Sequence, residues 1–214
     1  MNNGLIKSIA DIVSTKLRKE LNPNYYFHNY KHTVAVVRAA YIISFYQKLN
    51  LFEQNVLFIS AWLHDIGYLY GQINHEETSA KYAEKYLLHL GCSYSLIAAV
   101  QETIRATHLS YIPNNKVQSI LKDADLYHLS QLNFFTVNAK LKREIEVTSG
   151  KKITESDWHK TNINFFERHQ YFSKYGKKHL IKGKRVIYQL LKKTKLPLPQ
   201  KKVITAGVSS YNKV

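Results

Sequence analysis

Apolar residues recur at three- and four-residue intervals along almost the whole chain, the signature of amphipathic helices, and alternating strand-like patterns are nearly absent. Leu5, Ile6, Ile9, Ile12, Val13, Leu17 and Leu21 share one face of a predicted helix over 5–21, with Lys7, Lys16, Arg18 and Lys19 elsewhere on it. Asn22-Pro23-Asn24 marks a turn, and a second helix is predicted from about Tyr30 to Leu49. A third covers about Glu53 to His64; Val56 to Leu63 is apolar nearly all round, as in a central buried helix. Further helices follow near 75–90, stopped by Gly91, and near 94–107. Beyond a loop through Pro113-Asn114-Asn115, one helix carries Asp125, and three more run to Val147, from Glu155 to Phe172 and from Lys178 to Lys193, with a break at Ser149-Gly150. The expected fold is all-α: a single-domain helical bundle in which 1–24 is an N-terminal helix packed on the domain, 131–195 a basic helical extension of it, and 196–214 a polar tail.

Composition narrows the class. At 214 residues, 45% hydrophobic and 13% aromatic, the chain can bury a real core and is not a disordered one. One cysteine, Cys92, excludes an internal disulfide framework or a thiolate metal cluster, fits a reducing compartment, and reads as a small core residue. No segment reaches the roughly 20 apolar residues of a membrane span, and the N-terminus lacks a signal core, so a cytoplasmic location is expected. The net charge of +16 is concentrated toward the C-terminal end, at Lys174, Lys177, Lys178, Lys182, Lys184, Arg185, Lys192, Lys193, Lys195, Lys201 and Lys202. Such a field attracts nucleotides, nucleic acid or acidic lipid; a solvated lysine surface gives the same sequence.

The most informative chemistry is the adjacent pair His64-Asp65, with His32 upstream and His75, His108 and Asp125 downstream. Imidazoles and carboxylates together suit Mn, Fe, Co, Ni or Zn, whereas an all-oxygen set favours Mg or Ca. Neighbours in a helix point about 100° apart, so one ion can take both His64 and Asp65 most easily where the helix ends. Gly67 is expected to supply that ending as a left-handed stop.

The order His32, His64-Asp65, Asp125 on consecutive helices resembles the HD-domain superfamily of metal-dependent phosphohydrolases. Tyr26-Phe27-His28-Asn29-Tyr30-Lys31-His32-Thr33 is similar to the segment that opens many HD domains, and Ala61-Trp62-Leu63-His64-Asp65-Ile66-Gly67 to the helix end that names them. His75-Glu76-Glu77-Thr78-Ser79-Ala80, Thr103-Ile104-Arg105-Ala106-Thr107-His108 and Leu121-Lys122-Asp123-Ala124-Asp125-Leu126 resemble the third, fourth and closing motifs. The resemblance covers 25–130, and 140–185 is more weakly similar to the extension of bacterial predicted HD phosphohydrolases. Several HD hydrolases carry a lysine or glutamate shortly after the His-Asp pair, where this chain has Gly67-Tyr68-Leu69-Tyr70.

That resemblance implies that His32, His64, Asp65 and Asp125 hold a first divalent metal, with His75 and His108 holding a second that Asp65 bridges, or facing phosphate beside a single ion. Two cations about 3.5–4 Å apart can share a hydroxide and clamp a phosphoryl group. Glu76, Glu77 and Asp123 are candidates to orient the imidazoles; Asp123, about 200° from Asp125, is otherwise expected at the surface or as a cap. Arg105, Lys31 and Arg38 are candidates to neutralise substrate phosphate, with His28 close enough to touch it, whereas His89, His128, His159, His169 and His179 read as ordinary histidines. The implied activity is hydrolysis of a phosphomonoester or phosphodiester, in a nucleotide or related small anion. A di-iron oxygenase needs the same ligands, and a basic nucleic-acid or nucleotide-binding module with a non-catalytic site is the remaining reading.

Overall fold

The computed structural model describes residues 2–194; the predicted polar tail, with Lys195, Lys201 and Lys202, lies outside them. These residues form nine α-helices and no strand: α1 (Asn3–Lys19), α2 (Tyr30–Ser44), α3 (Leu51–Leu63), α4 (His75–His89), α5 (Tyr94–Arg105), α6 (Lys116–Asp125), α7 (Phe134–Ser149), α8 (Glu155–Arg168) and α9 (Ile181–Lys193). The all-α expectation holds. No described helix is long and apolar enough to cross a membrane.

Side-chain oxygens at the helix starts explain why the elements begin where they do. Asn2, Asn29, Asn50, Ser93, Asn115 and Thr154 each accept a backbone N–H of the first turn, satisfying a donor the helix cannot. Asn50 makes a full capping box with Glu53. α2 ends at Ser44 rather than Leu49, its last turn tightening into bonds from Tyr46 N to Ile43 O and Gln47 N to Ser44 O. Gly91 (φ 69°) and Gly150 (φ 68°) are left-handed, as a helix stop demands, and end α4 and α7. α8 stops at Arg168, four residues short of the expected Phe172, because His169 turns extended.

α3 is the central rod, with Val56 to Ala61 and Leu63 buried. It packs on α1, α2, α5 and α6, while α4 lies along α5. Each fully buried aliphatic such as Leu57, Ile59 or Leu63 contributes about 1.5–3 kcal/mol through apolar burial. Cys92 is partly buried against this core. Leu129, Phe134, Phe166, Ile187 and Leu191 form a second, smaller cluster among α7, α8 and α9.

One carboxylate ties that C-terminal part to α6. Asp123, expected at the surface or as a cap, is instead buried and accepts hydrogen bonds from Phe172 N (2.9 Å), Ser173 N (2.9 Å) and Ser173 Oγ (2.5 Å). It points away from Asp125 as helix geometry requires, and the segment after α8 folds over it.

His169 makes the C-terminal part acid-sensitive. Burial, reinforced by nearby Lys184, pushes its imidazole down to about 3, and its Nδ1 is a buried polar atom with no hydrogen-bond partner. The unfolded chain therefore takes up this proton first as pH falls below about 6.5. Stability present above that pH is lost on acidification, by about 2 kcal/mol between pH 7 and 5. His169→Phe is expected to remove that part of the slope. Urea midpoints of both proteins at the two pH values check this, and parallel slopes would refute it.

Candidate metal centre

Three helix ends meet at one point. α3 finishes at Leu63; His64 keeps helical dihedrals (φ −56°, ψ −37°), Asp65 moves to the bridge region (φ −108°, ψ 8°), and a 3-10 turn follows over Ile66–Leu69. This change of path aims two adjacent side chains inward. His32 comes from the first turn of α2, and Asp125 is the last residue of α6, which packs beside α2.

Gly67 does not end α3 as a left-handed residue, contrary to expectation; only Gly71, Gly91 and Gly150 are left-handed glycines among the described residues. It is required for another reason. Its N–H donates to Ser79 Oγ (2.8 Å), and a Cβ there would overlap the His75 carbonyl oxygen.

The four residues form a compact donor set. His32 Nε2 is 2.9 Å from Asp125 Oδ1 and 3.4 Å from Asp65 Oδ2; His64 Nε2 is 3.2 Å from Asp65 Oδ2 and 3.7 Å from Asp125 Oδ1. Ligand atoms of His32, His64 and Asp125 all lie within 4.8 Å of one another. His64 Nε2 and Asp65 Oδ2 are buried with no hydrogen-bond partner, although a buried polar atom without one costs about 1–3 kcal/mol. A divalent cation would satisfy both, and the mixed imidazole–carboxylate chemistry fits one.

Asp65 also faces the other way. Its Oδ1 is 3.7 Å from Nε2 of His75, the first residue of α4, so one carboxylate separates His32 and His64 from His75. The Nδ1–H groups of His64 and His75 are turned to carbonyl oxygens of Ala61 (3.0 Å) and Gln72 (3.1 Å), which leaves each Nε2 for the centre. Of the carboxylates expected to orient imidazoles, Glu76 comes within 3.4 Å of His75 Nδ1, whereas Glu77 is occupied by Arg105 and Asp123 by the segment after α8.

Charge reinforces the cluster. Burial raises the pKa of Asp65 and Asp125, but adjacent His64 and His32 outweigh it and hold both well below the usual carboxylate range. Burial likewise lowers His64, and the two carboxylates reverse this and raise it well above normal. The imidazoles and carboxylates thus favour one another's charged forms, and a bound cation would compete with a proton for His64 Nε2.

The other predicted residues are placed differently. His108 is exposed, with Nδ1 taken by Ser110 Oγ (2.9 Å), and makes no hydrogen bond or ion pair with the cluster. Arg105 is committed to Glu77 through Nε–Oε2 (2.6 Å) and Nη2–Oε1 (3.3 Å). Lys31 and Arg38 are exposed and line a cleft of about 750 Å³ that His32 and Asp125 also line. His28 stacks on Tyr68 (ring centroids 4.3 Å), which in turn lies 4.3 Å from the His75 ring.

Three residues that brace the site's surroundings escape sequence reasoning. Glu144, buried on α7, accepts Phe27 N (2.7 Å), His28 N (3.0 Å) and a short bond from His28 Nδ1. Burial lowers the His28 pKa, but Glu144, Asp65 and Asp125 prevail and raise it. Lys122, buried on α6, sends Nζ to the carbonyl oxygens of Ala106 (3.3 Å), His108 (2.5 Å), Leu109 (3.4 Å) and Tyr111 (2.8 Å), pinning the loop that carries His108. His128, read as ordinary, donates from Nδ1 to the Asp125 carbonyl (3.3 Å), and burial with nearby His32 pushes it down to about 4. The signal for Glu144 is a carboxylate at helical spacing from Val137 and Leu141 on one face of α7; nothing local distinguishes Lys122 or His128.

Residues 29–130 match the family model of the HD domain. No curated protein and no solved structure matches the chain significantly.

Proposed function

We propose that this chain, whose residues 29–130 match the family model of the HD domain, is a metal-dependent phosphohydrolase that hydrolyses a phosphomonoester or phosphodiester bond in a nucleotide or related anion. The carrying observation is the convergence of His32, His64, Asp65 and Asp125, with His64 Nε2 and Asp65 Oδ2 buried and unpartnered at its centre.

In this reading the four residues hold a divalent ion, and His75 approaches from the second oxygen of Asp65. When bound, the ion supplies the charge that makes water nucleophilic near neutral pH and neutralises phosphoryl oxygens. The protein's own groups do the rest. Carbonyl oxygens of Ala61 and Gln72 hold the imidazoles in the tautomer that presents Nε2. His28, fixed by Glu144, which favours its charged form, and stacked on Tyr68, would offer a positive charge beside the centre to a phosphoryl oxygen. Lys31 sits at the cleft mouth next to His32. Overall, water adds to phosphorus, the P–O bond to the leaving group breaks, and the leaving oxygen takes up a proton.

His108 enters this scheme only as a second-ion ligand reached by a shift of the loop that Lys122 pins, and Arg105 only if it leaves Glu77.

The test is metal analysis of protein purified without chelator, followed by turnover of a bis-aryl phosphodiester and a nucleotide panel with Mn, Co or Ni. At least one equivalent of metal and metal-dependent hydrolysis, both lost in Asp65→Ala, are expected. Metal-free protein without turnover under any ion would overturn the reading, as would an aerobic oxidation product from iron-loaded protein in place of hydrolysis.

A further inference from the structure

The cleft beside the metal centre is more cationic than one phosphate requires. Arg18, Lys31, Arg38 and Lys140 line it together with His32, and Asp125 is the one carboxylate in its wall. None of these four cations is ion-paired among the described residues, whereas Lys16, Arg105, Lys116 and Lys142 elsewhere each have a carboxylate partner.

Their arrangement has direction. Lys31 adjoins His32 at the metal end of α2; Arg38 is seven residues on, about 10.5 Å along the axis at about 1.5 Å per residue. Val34 and Ala35 form a low floor between them. Arg18 reaches in from the last turn of α1, its guanidinium 3.7 Å from the Tyr30 ring centroid, and Lys140 lines the cleft from α7. Tyr26, Tyr30 and Tyr127 line the same cleft, with Arg143 4.1 Å over the Tyr26 ring. A phosphate reacting at His32 and Asp125 would leave Arg38, about two helical turns along α2, with nothing to neutralise. A positively charged track with aromatic faces is how proteins hold single-stranded nucleic acid.

Resting on the hydrolase reading, we propose that the substrate is the end of a single-stranded oligonucleotide. Its terminal phosphate or phosphodiester sits at His32 and Asp125, and its next backbone phosphates run along α2 past Lys31 and Arg18 to Arg38.

The experiment measures anisotropy of fluorescein-labelled oligothymidylates of two, four and eight nucleotides, and of labelled thymidine monophosphate, with the full chain in chelator. Metal-dependent turnover of the same oligomers and of a bis-aryl phosphodiester is measured alongside. Affinity is expected to rise at least tenfold from the mononucleotide to the four-mer and then level off. Arg38→Ala and Arg18→Ala should each weaken four-mer binding about fivefold and lower the slope of log K against log salt by about 0.7, and Arg38→Ala should raise KM for the four-mer more than it lowers kcat. Lys177→Ala/Lys178→Ala, on the basic segment before α9, is the control. Equal affinity for mononucleotide and oligomers, or binding lost in the control pair and kept in Arg38→Ala, overturns the proposal even if the bis-aryl ester is hydrolysed. Length-dependent binding along α2 without any metal-dependent hydrolysis overturns the hydrolase reading instead.

Discussion

Gly67→Ala is expected to destabilise the protein by about 3–5 kcal/mol, at or beyond the upper end of ordinary overpacking. The added methyl would overlap the His75 carbonyl oxygen and lie 2.8 Å from Ser79 Oγ and 3.0 Å from Ser79 N. Two of these three atoms belong to the backbone of α4, which cannot rotate aside as a side chain would. Relief requires α4 to move from the turn after α3, taking His75 from Asp65 and breaking the bond from Gly67 N to Ser79 Oγ. Urea unfolding gives the stability loss. Metal titration of whatever folded protein remains should show weaker binding, because the turn that aims His64 and Asp65 is the one displaced. Unchanged midpoint and metal content would mean that α4 is held less firmly than its packing on α5 implies.

Loss of the Glu144 carboxylate should cost nearly as much. Glu144→Ala strands the buried Phe27 N–H and the partly buried His28 N–H and leaves the His28 imidazole without its carboxylate; about 3–4 kcal/mol is expected from breaking this network. Glu144→Gln keeps the shape and an acceptor, and should lose about half of that. The consequence reaches the metal centre, since the Phe27 ring lies 4.6 Å from the His32 ring and His28 stacks on Tyr68. Metal affinity is therefore expected to fall about 10- to 100-fold in Glu144→Ala, as for other residues that orient metal ligands from behind. Chemical denaturation and a competitive metal titration read the two effects separately. Full metal affinity in a destabilised Glu144→Ala would confine this residue to holding α7 in place.

Local order accounts for what could be read without coordinates. Helical period, the stops at Gly91 and Gly150 and the all-round apolar run of α3 depend on neighbours three or four residues away and on backbone dihedrals, which each stretch of chain carries in itself. The end of α2 at Ser44 is not legible, because no glycine or proline marks the tightened turn through Gln47 that closes it. Adjacent His64 and Asp65 were legible as a pair at a helix end, but the means differed: a bridge-region Asp65 followed by a 3-10 turn, with Gly67 serving close approach to α4 instead of a left-handed stop.

The amino-acid sequence by itself determined an all-α chain with metal-type side chains spaced along it in a family's order. Tertiary structure alone decided which of them meet. His32 and Asp125 are 93 residues apart and touch because α2 packs on α6. His108 carries the same imidazole and stays at the surface, because Lys122 holds its loop by four carbonyl oxygens. Glu144 acts on His28 across 116 residues. Electrostatic partners and close contacts are set by distance in space, and no periodicity along the chain records that distance until the helices have packed.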